Sequence, residues 1–452
     1  MQRRDISKVL LTSALGSALI SERAQAQTCN EPCFPATQAE IAAGVTPSSY
    51  AYQPGDLRRY GAVGSGSDEA NVINKALAAN LLVTVPAGYT FATTGNHALL
   101  AGQTVAGPGT LKLHSGANPI LRVTVADACV QGVKFDLSAG SSISRTAISI
   151  ETNGTDVAII GNSIIAGRIV TTGSGPSGVR IHGNTLVSAK VGGTSGGAIS
   201  IDGGTLDFSV TDNTVSAADG AGIAILTNSM RGVVSGNLCR GNAGNGIFVD
   251  RGQYLTVSSN VCEANSQSGI GWNNASTLPR PQRSSLVGNI CRGNEFDGID
   301  IAVDNAVVRH IYLEVLGNHC EGNGTAQNGG AGINIQFVGL CTVSGNQLFG
   351  NATHGMILYG AELCTIQGNV CTANGNIAPG TYDGIRLAGA RNCTVSGNVS
   401  TNTSGGANQR YGIAEEAAAD GNIITGNMCV NNINAPGVLL VGGFSINANN
   451  RG

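Results

Sequence analysis

A four-residue motif, V-S-G-N or a close variant, recurs along most of the chain and restricts the fold more than any other feature. Successive copies are 22 to 29 residues apart, and a repeat of this period is typical of solenoids, in which each repeat stacks on the next. The motif ends at Asn162, Asn184, Asn213, Asn237, Asn260, Asn289, Asn318, Asn346, Asn369, Asn398 and Asn427. In most repeats a second asparagine follows five residues later, and a Gly-aliphatic pair comes after it.

Each repeat also contains two or three short apolar runs separated by glycine and asparagine. Runs such as 246–249 and 255–257 are too short for helices and alternate with a period of two, as strands do. Glycine and asparagine tolerate the left-handed backbone conformation that bends one strand into the next. We therefore predict an all-β chain, a single parallel β-helix of roughly 14 coils with an asparagine ladder along the stack.

The composition agrees with stacked strands and argues against some functions. Charged residues make up 12% of the chain and aromatic residues 4%, while 66 of 452 residues are glycine. With 25 Lys and Arg and a net charge of −3, the chain lacks the basic surface of a nucleic-acid-binding protein, so we expect no nucleic-acid partner. We also expect no membrane span, because the apolar runs are too short.

The first 26 residues are predicted to be an export signal. Arg3 and Arg4 precede a short apolar run, and residues 24–26 form a small-x-small cleavage site. The paired arginines favour a twin-arginine signal over an ordinary secretory signal. Either type would export the protein to the periplasm or the exterior of a bacterium.

The cysteines fall into two groups. Cys29 and Cys33 lie in an N-terminal extension, residues 27–55, where a local disulfide and two free thiols are equal alternatives in an oxidising compartment. Most of the other ten lie two residues after, or five before, a motif asparagine, at positions that are otherwise apolar or small. We expect these cysteines to be buried, reduced thiols that act as small hydrophobic residues.

Residues 60–77 (Y-G-A-V-G-S-G-S-D-E-A-N-V-I-N-K-A-L) and 83–89 (V-T-V-P-A-G-Y) resemble the opening of the pectate-lyase-like superfamily. Residues near 68–79 form an amphipathic pattern that predicts a capping helix, with Ser67 or Asp68 as its N-cap. The resemblance implies a right-handed parallel β-helix over residues 56–452. The superfamily includes polysaccharide lyases, polygalacturonases, uronate epimerases and phage tailspikes, so the fold does not fix the function.

One stretch, residues 295–301 (E-F-D-G-I-D-I), resembles the N-T-D-G-I-D-I strand of polygalacturonases, in which the first aspartate protonates the leaving oxygen. Asp297 matches that aspartate. The paired aspartates, the Gly-His-Gly and the Arg-x-Lys that follow in that family are not found in this sequence. The same residues also fit a coil consensus, x-Asp-Gly-Ile, which recurs at Asp383.

The outward face of the Gly-Ile strands supplies the candidate site. If the aliphatic residue after glycine points inward, the residues two and four places after glycine point outward. The catalytic candidates on or beside this face are Asp250, Asp297, Asp300, Tyr359 and Arg386. The candidates for substrate binding are Asn273, Asn334, Gln336, His354, Asp383 and Arg280, the last in an insertion that flanks the face.

These residue types favour an enzyme that acts on an acidic polysaccharide. Two carboxyl groups suit hydrolysis of a glycosidic bond, and a phenol, imidazole or guanidinium suits β-elimination. The alternatives are a non-catalytic β-helix that binds glycans or belongs to the envelope, and a uronate epimerase. Calcium could be held by Asp250, Asp297, Asp300 or Asp304, although no motif supports such a site. The sequence leaves open whether the protein is a monomer or a homotrimer.

Overall fold

A computed structural model describes most of the chain after the predicted signal. The described residues are 33–194, 196–274, 283–303, 309–310, 312–325, 327–402, 408–416, 418–434 and 437–452. The predicted signal, Cys29, Arg280 and Asp304 therefore lie outside the described residues. No helix of the described part is long and apolar enough to cross a membrane.

Three long parallel sheets run the length of the described chain, and each coil contributes about one strand to each sheet. The first sheet contains Leu82–Thr84, Thr104–Ala106, Cys129–Gln131, Ala158–Ile160, Arg180–His182, Ser209–Thr211, Met230–Ser235, Gln253–Ser258, Ser284–Val287, Leu313–Leu316, Thr342–Ser344, Thr365–Gln367, Thr394–Ser396, Ile423–Thr425 and Ile446–Ala448. The second contains Thr90–Thr93, Thr110–Leu113, Lys134–Asp136, Ser163–Ile165, Thr185–Val187, Thr214–Ser216, Leu238–Arg240, Val261–Glu263, Ile290–Arg292, His319–Glu321, Gln347–Phe349, Val370–Thr372 and Val399–Thr401.

The third sheet begins in each coil near the Gly-aliphatic pair. It contains His97–Ala98, Leu121–Val123, Thr146–Ile150, Arg168–Thr171, Gly197–Ile201, Ala221–Ile225, Ile247–Asp250, Ile270–Asn274, Ile299–Val303, Ile333–Gln336, Met356–Tyr359, Ile385–Ala388, Ile413–Glu416 and Val438–Leu439. A separate short pair joins Arg309–His310 to Val338–Gly339. This is the all-β parallel solenoid of about 14 coils that the repeat predicts.

Alternation within the strands fills the interior with aliphatic side chains. In Ile247–Asp250, for example, Ile247 and Val249 are fully buried, whereas Phe248 and Asp250 are only part-buried. Trp272 is 2% exposed, so it belongs to the interior, as its place in the alternation predicts. The same alternation leaves the outer face of the third sheet free for polar groups.

Two columns of amide side chains hold successive coils together. The motif asparagines form the first ladder: Nδ2 of Asn289 donates to Oδ1 of Asn318 at 2.9 Å and to the carbonyl of Val257 at 2.9 Å. The asparagines five residues further on form the second ladder. In that ladder Gln409 takes the place of an asparagine, accepting from Asn374 and donating to Asn432, each at 3.0 Å. Each amide satisfies buried backbone groups that the turns would otherwise leave without partners.

The N-terminal cap consists of three short helices, Gln38–Ala42, the 3-10 helix Leu57–Tyr60, and Ala70–Ala79. The last is the predicted capping helix, but its N-cap is Glu69 rather than Ser67 or Asp68. Asp68 instead accepts from the backbone N–H groups of Ala70 and Thr94, so its carboxylate joins the helix to the first coil.

A fully buried ion pair joins the first two helices of the cap. The guanidinium of Arg59 donates to Glu40 at 2.6 and 2.9 Å, and the hydroxyl of Tyr60 donates to Glu40 at 2.7 Å. Burial by itself raises the pKa of Glu40, but the hydrogen bonds from Arg59, Thr37 and Tyr60 outweigh it and lower the pKa to about 2. Glu40 is therefore a carboxylate at all physiological pH values.

The cysteines of the repeat are free, and nine of the ten are buried. Cys239, Cys262, Cys291 and Cys320 occupy one position in four successive strands of the second sheet. The sequence prediction of a stack of reduced thiols is confirmed. Cys33 is disulfide-bonded, and Cys29, which the sequence offered as a possible partner, lies outside the described residues.

Candidate active site

The strand register of the third sheet determines which candidate side chains can meet. Asp300 pairs with Gly271 on the preceding coil and with Asn334 on the next, and Ile357 and Arg386 continue the same column. With adjacent strands about 4.8 Å apart, Asp300 and Arg386 are separated by about 14 Å along the axis. The predicted residues therefore fall into two clusters.

The first cluster is an aspartate pair on one coil, which we call the acid pair: Asp297 and Asp300. Oδ1 of Asp297 accepts the backbone N–H of Ala331 at 2.6 Å, and its Oδ2 accepts from Nδ2 of Asn334 at 3.3 Å. Asp300, by contrast, has a buried Oδ1 with no hydrogen-bond partner. The two carboxyl groups thus differ in how well their surroundings stabilise a negative charge.

This difference decides which member of the acid pair holds a proton. Burial, followed by the charge of Asp297, raises the pKa of Asp300 to about 7. Burial also raises the pKa of Asp297, but the N–H groups of Ala331 and Asn334 oppose that rise. Near neutral pH the proton of the pair therefore lies on Asp300, because Asp297 is the carboxylate whose charge is stabilised by hydrogen bonds.

An open pocket of about 310 Å³ lies beside the acid pair on the side of the preceding coils. Its lining residues are Asn245, Phe248, Gln267, Ser268, Gly271, Trp272, Asn273, Phe296, Asp300 and Ala302. Two outward-facing side chains among them have a buried oxygen without a hydrogen-bond partner: Oδ1 of Asn273 and Oδ1 of Asp300. Buried polar groups are nearly always hydrogen-bonded, so two such oxygens beside one pocket favour a bound ligand there.

The second cluster surrounds Asp383, whose side chain is fully buried. Arg410 donates to both of its carboxylate oxygens, at 3.0 and 2.9 Å, and also to Glu416 at 2.5 Å. Arg386 is paired with the other oxygen of Glu416. Two arginines thus face two carboxylates, and the four charges cancel.

His354 borders this second cluster and is neutral. Its Nδ1 accepts the backbone N–H of Asp383 at 3.0 Å, and its ring meets Tyr382 edge-on. Burial, together with the charge of Arg386, lowers the pKa of His354 to about 3. Because Nδ1 is an acceptor, the proton of the neutral ring lies on Nε2, which faces Nη1 of Arg386 at 3.1 Å.

One structural role links residues of both clusters. The side chain just before the Gly-Ile pair accepts the backbone N–H of the equivalent residue on the next coil. This holds for Asn245 with Ser268, Asp297 with Ala331, His354 with Asp383, and Asp383 with Tyr411. A polar residue at this position therefore has a structural reason to be there, whether or not it also contacts a ligand.

The remaining candidates lie apart from the acid pair. Asp250 is ion-paired with Arg251. It lies two coils before Asp300 and two residues further along its strand, so the backbones of the two aspartates are about 12 Å apart. Tyr359 is 49% exposed and packs edge-on against Phe337. Gln336 lies one coil after the pocket residue Ala302, and Arg280 is outside the described residues.

Sequence reasoning missed several residues of these clusters. Phe296, Gln267 and Ser268 line the pocket, and Arg410 and Glu416 complete the second cluster. Ser268 lies one residue before a Gly-Ile pair and Phe296 lies two residues before one, at the same edge of the strand as Asp297. Extending the search to two residues before each glycine would have included them and Arg410.

Two family models match the chain. Residues 113–309 match the right-handed β-helix region family, and residues 315–449 match the periplasmic copper-binding protein NosD. A search of curated proteins by sequence finds no match. Together with the fold, the matches show that this chain is a parallel β-helix, similar over residues 113–309 to the right-handed β-helix region.

Solved structures with the same architecture have low sequence identity to the chain. A tailspike mutant of E. coli bacteriophage HK620, in complex with a pentasaccharide, has a TM-score of 0.63 at 13% identity, with 87% of this chain and 80% of that chain covered. The periplasmic alginate epimerase AlgG has a TM-score of 0.52 at 15% identity, with 76% of this chain and 78% of that chain covered. The Azotobacter vinelandii mannuronan C-5 epimerase AlgE4 A-module has a TM-score of 0.51 at 17% identity, with 86% of this chain and 99% of that chain covered.

The residues within 315–449 do not fit a copper ion. Copper prefers thiolate or imidazole ligands, which must be deprotonated. Contact with Cys341, together with burial, raises the pKa of Cys364, and the one free nitrogen of His354 faces Arg386. In the described part of the chain, no three His, Cys, Asp or Glu side chains are arranged to hold a metal ion.

Proposed function

We propose that this protein is an exported glycoside hydrolase whose acid pair, Asp297 and Asp300, cleaves a glycosidic bond. The observation that carries the proposal is a pair of carboxyl groups beside an open pocket, one with hydrogen bonds to both oxygens and one with a buried oxygen that has none. Glycoside hydrolysis requires this combination of a general acid with a raised pKa and a carboxylate.

The difference between the two carboxyl groups assigns their roles. Asp300 gives its proton to the glycosidic oxygen as the bond to the anomeric carbon breaks. Asp297 stays ionised, and it either takes a proton from the attacking water or attacks the anomeric carbon itself before water replaces it. In both cases one water is consumed, and the proton returns to Asp300 at the end of the cycle.

Hydrolysis is better supported than β-elimination or epimerisation. The last two reactions need a base and a group that neutralises the uronate at one sugar ring. Tyr359 is two coils from Asp300, and Arg386 is three coils away and paired with Glu416. Neither side chain lines the pocket beside the acid pair.

The comparisons add support for a glycan as substrate and for export. The tailspike was solved with a pentasaccharide, and the two epimerases are named for alginate and mannuronan. The words periplasmic in the NosD family description and in the AlgG title agree with the predicted twin-arginine signal.

The test is a cleavage screen with the mature protein on neutral and acidic polysaccharides, with and without calcium. Reducing ends and the ultraviolet absorbance of unsaturated uronates are followed together. Reducing ends that rise without the absorbance, and that are lost in Asp300→Asn, are the expected result. A parallel rise of both signals would indicate a lyase, and binding without cleavage of any polymer would indicate a non-catalytic glycan-binding protein.

A further inference from the structure

The pocket beside the acid pair has a chemistry of its own, which the roles of Asp297 and Asp300 do not explain. Asn273 lies on the outward face of the coil before Asp300 and is not needed for acid or base catalysis. Its buried Oδ1 nevertheless has no hydrogen-bond partner. A ligand that supplies the missing partner removes the cost of leaving this oxygen unsatisfied and so gains affinity.

The shape of the pocket depends on a missing side chain. Gly271 is the register partner of Asp300 on the preceding coil, and a Cβ at this position would be 2.8 Å from Oδ1 of Asn245. The absence of a side chain at Gly271 therefore leaves room for the side chain of Asn245, which lines the pocket together with Gly271 and Asp300. Phe248 and Phe296, both partly exposed, provide apolar surface in the same pocket.

Asp300 is the one charged or titratable residue among the described residues that line the pocket, and it lies beside Asp297. None of these lining residues is lysine or arginine. A carboxylate or sulfate on the bound sugar would therefore meet carboxyl groups with no cation among these lining residues to balance it. Hydroxyl and amide groups, by contrast, can donate to the unpaired oxygen of Asn273.

We propose that this pocket binds an uncharged sugar unit, whose hydroxyl or amide group donates to Oδ1 of Asn273 and whose apolar face lies against Phe248 and Phe296. The inference rests on the proposed function for its orientation, because the scissile bond must be within reach of Asp300. It narrows the substrate from acidic polysaccharides in general to glycans with a neutral unit at the point of cleavage.

The test compares glycans of the same linkage and anomeric configuration that differ only at one carbon, with a hydroxymethyl group in one and a carboxylate in the other, such as β-1,4-glucan with β-1,4-glucuronan. Binding is measured by calorimetry on the mature Asp300→Asn protein, so that no substrate is consumed. We expect binding to one of the neutral polymers and at least about tenfold weaker binding to its acidic counterpart. Tighter binding of the acidic polymer, or no binding to any neutral polymer, overturns the inference.

Variants then locate the binding to the pocket. In the Asp300→Asn background, Asn273→Ala removes the unpaired oxygen and should weaken binding about fivefold to tenfold. Tyr359→Phe also removes one polar atom, but two coils away, and should leave affinity unchanged. If Asn273→Ala binds as tightly as its parent, the inference is wrong.

The same data separate this inference from the proposed function. Cleavage of acidic polymers alone, with loss of activity in Asp300→Asn, would keep the hydrolase and reject the neutral subsite. Binding of a neutral glycan that depends on Asn273, without cleavage of any polymer, would keep the subsite and reject the hydrolase.

Discussion

Oδ1 of Asp297 accepts the backbone N–H of Ala331 on the next coil at 2.6 Å. This hydrogen bond stabilises the charged form of Asp297, and it is also one of a series of side-chain contacts that join successive coils at the same position. The residue therefore has a structural role and a proposed catalytic one. Variants that keep the hydrogen bond and remove the charge can separate the two roles.

Asp297→Asn is expected to abolish activity without loss of stability. The amide retains an oxygen that can accept from Ala331 but has no negative charge, so kcat should fall at least about 100-fold while the melting temperature hardly changes. Asp297→Ala leaves the N–H of Ala331 unpaired and should cost about 1 to 3 kcal/mol of unfolding free energy as well. Kinetics on a cleaved glycan and denaturant unfolding measure both. Full activity in Asp297→Asn would remove Asp297 from the reaction.

Asp300 should make both activity and stability depend on pH. Because its pKa is raised to about 7 by burial and by Asp297, the folded protein keeps a proton that the unfolded chain releases near pH 4. Stability therefore falls as pH rises from about 4 to 7, by roughly 1 to 3 kcal/mol. Activity should fall above about pH 7, when the acid has lost its proton.

Asp300→Asn is the matched variant for this pH dependence. It has no group that titrates at this position, so its unfolding free energy should decrease less between pH 4 and pH 7 than that of the wild type. At pH 8 it should be the more stable of the two proteins. Urea titrations at several pH values measure this, and parallel curves for the two proteins would show that Asp300 has an ordinary pKa.

The repeat predicted the fold because each coil obeys the same local rules. Asn289 and Asn318 could be assigned to one ladder from their spacing, since equivalent turn positions stack in a parallel solenoid. Gln409 could not, because its longer side chain reaches the second ladder from a position that does not keep the five-residue spacing. Tertiary geometry, rather than local pattern, places its amide between Asn374 and Asn432.

The site was only partly predictable for a related reason. Alternation predicted that Asp300 and Arg386 share the outward face, and the register puts them in one column, but three coils apart. A sequence pattern gives the face on which a side chain lies and not the partners within its reach. The pairing of Arg386 with Glu416, and the place of Asn245 beside Gly271, depend on contacts between coils that no single repeat encodes.

The buried pair of Glu40 and Arg59 should be essential to the N-terminal cap. Glu40→Gln leaves the guanidinium of Arg59 without a counter-charge in a fully buried site, which should cost about 3 to 5 kcal/mol. Because the pKa of Glu40 is lowered to about 2, its contribution is fully present above about pH 4.5 and is lost as pH falls toward 2. Thermal unfolding at pH 7 measures the loss.

The exposed ion pair of Asp207 and Arg231, at 2.7 Å, provides the control. Asp207→Asn removes a similar contact in a place where water already screens it, so no measurable change in melting temperature is expected. Equal decreases in melting temperature for Asp207→Asn and Glu40→Gln would mean that burial does not determine how strongly the ion pair of Glu40 stabilises the protein.

The free cysteines should differ sharply in their reactivity in the native protein. A thiol reacts as its thiolate and must be reached by the reagent. Cys129 is part-buried, whereas the other nine are buried in the solenoid interior, where burial and contact between neighbouring thiols raise the pKa of members such as Cys291. With a maleimide, followed by mass spectrometry of the intact protein, we expect one early addition and nine more only after denaturation.

Cys129→Ser should abolish the early addition and leave the later ones unchanged, because the remaining thiols react only when the coils open. Several early additions in the variant would mean that the thiol stack is accessible in the folded state.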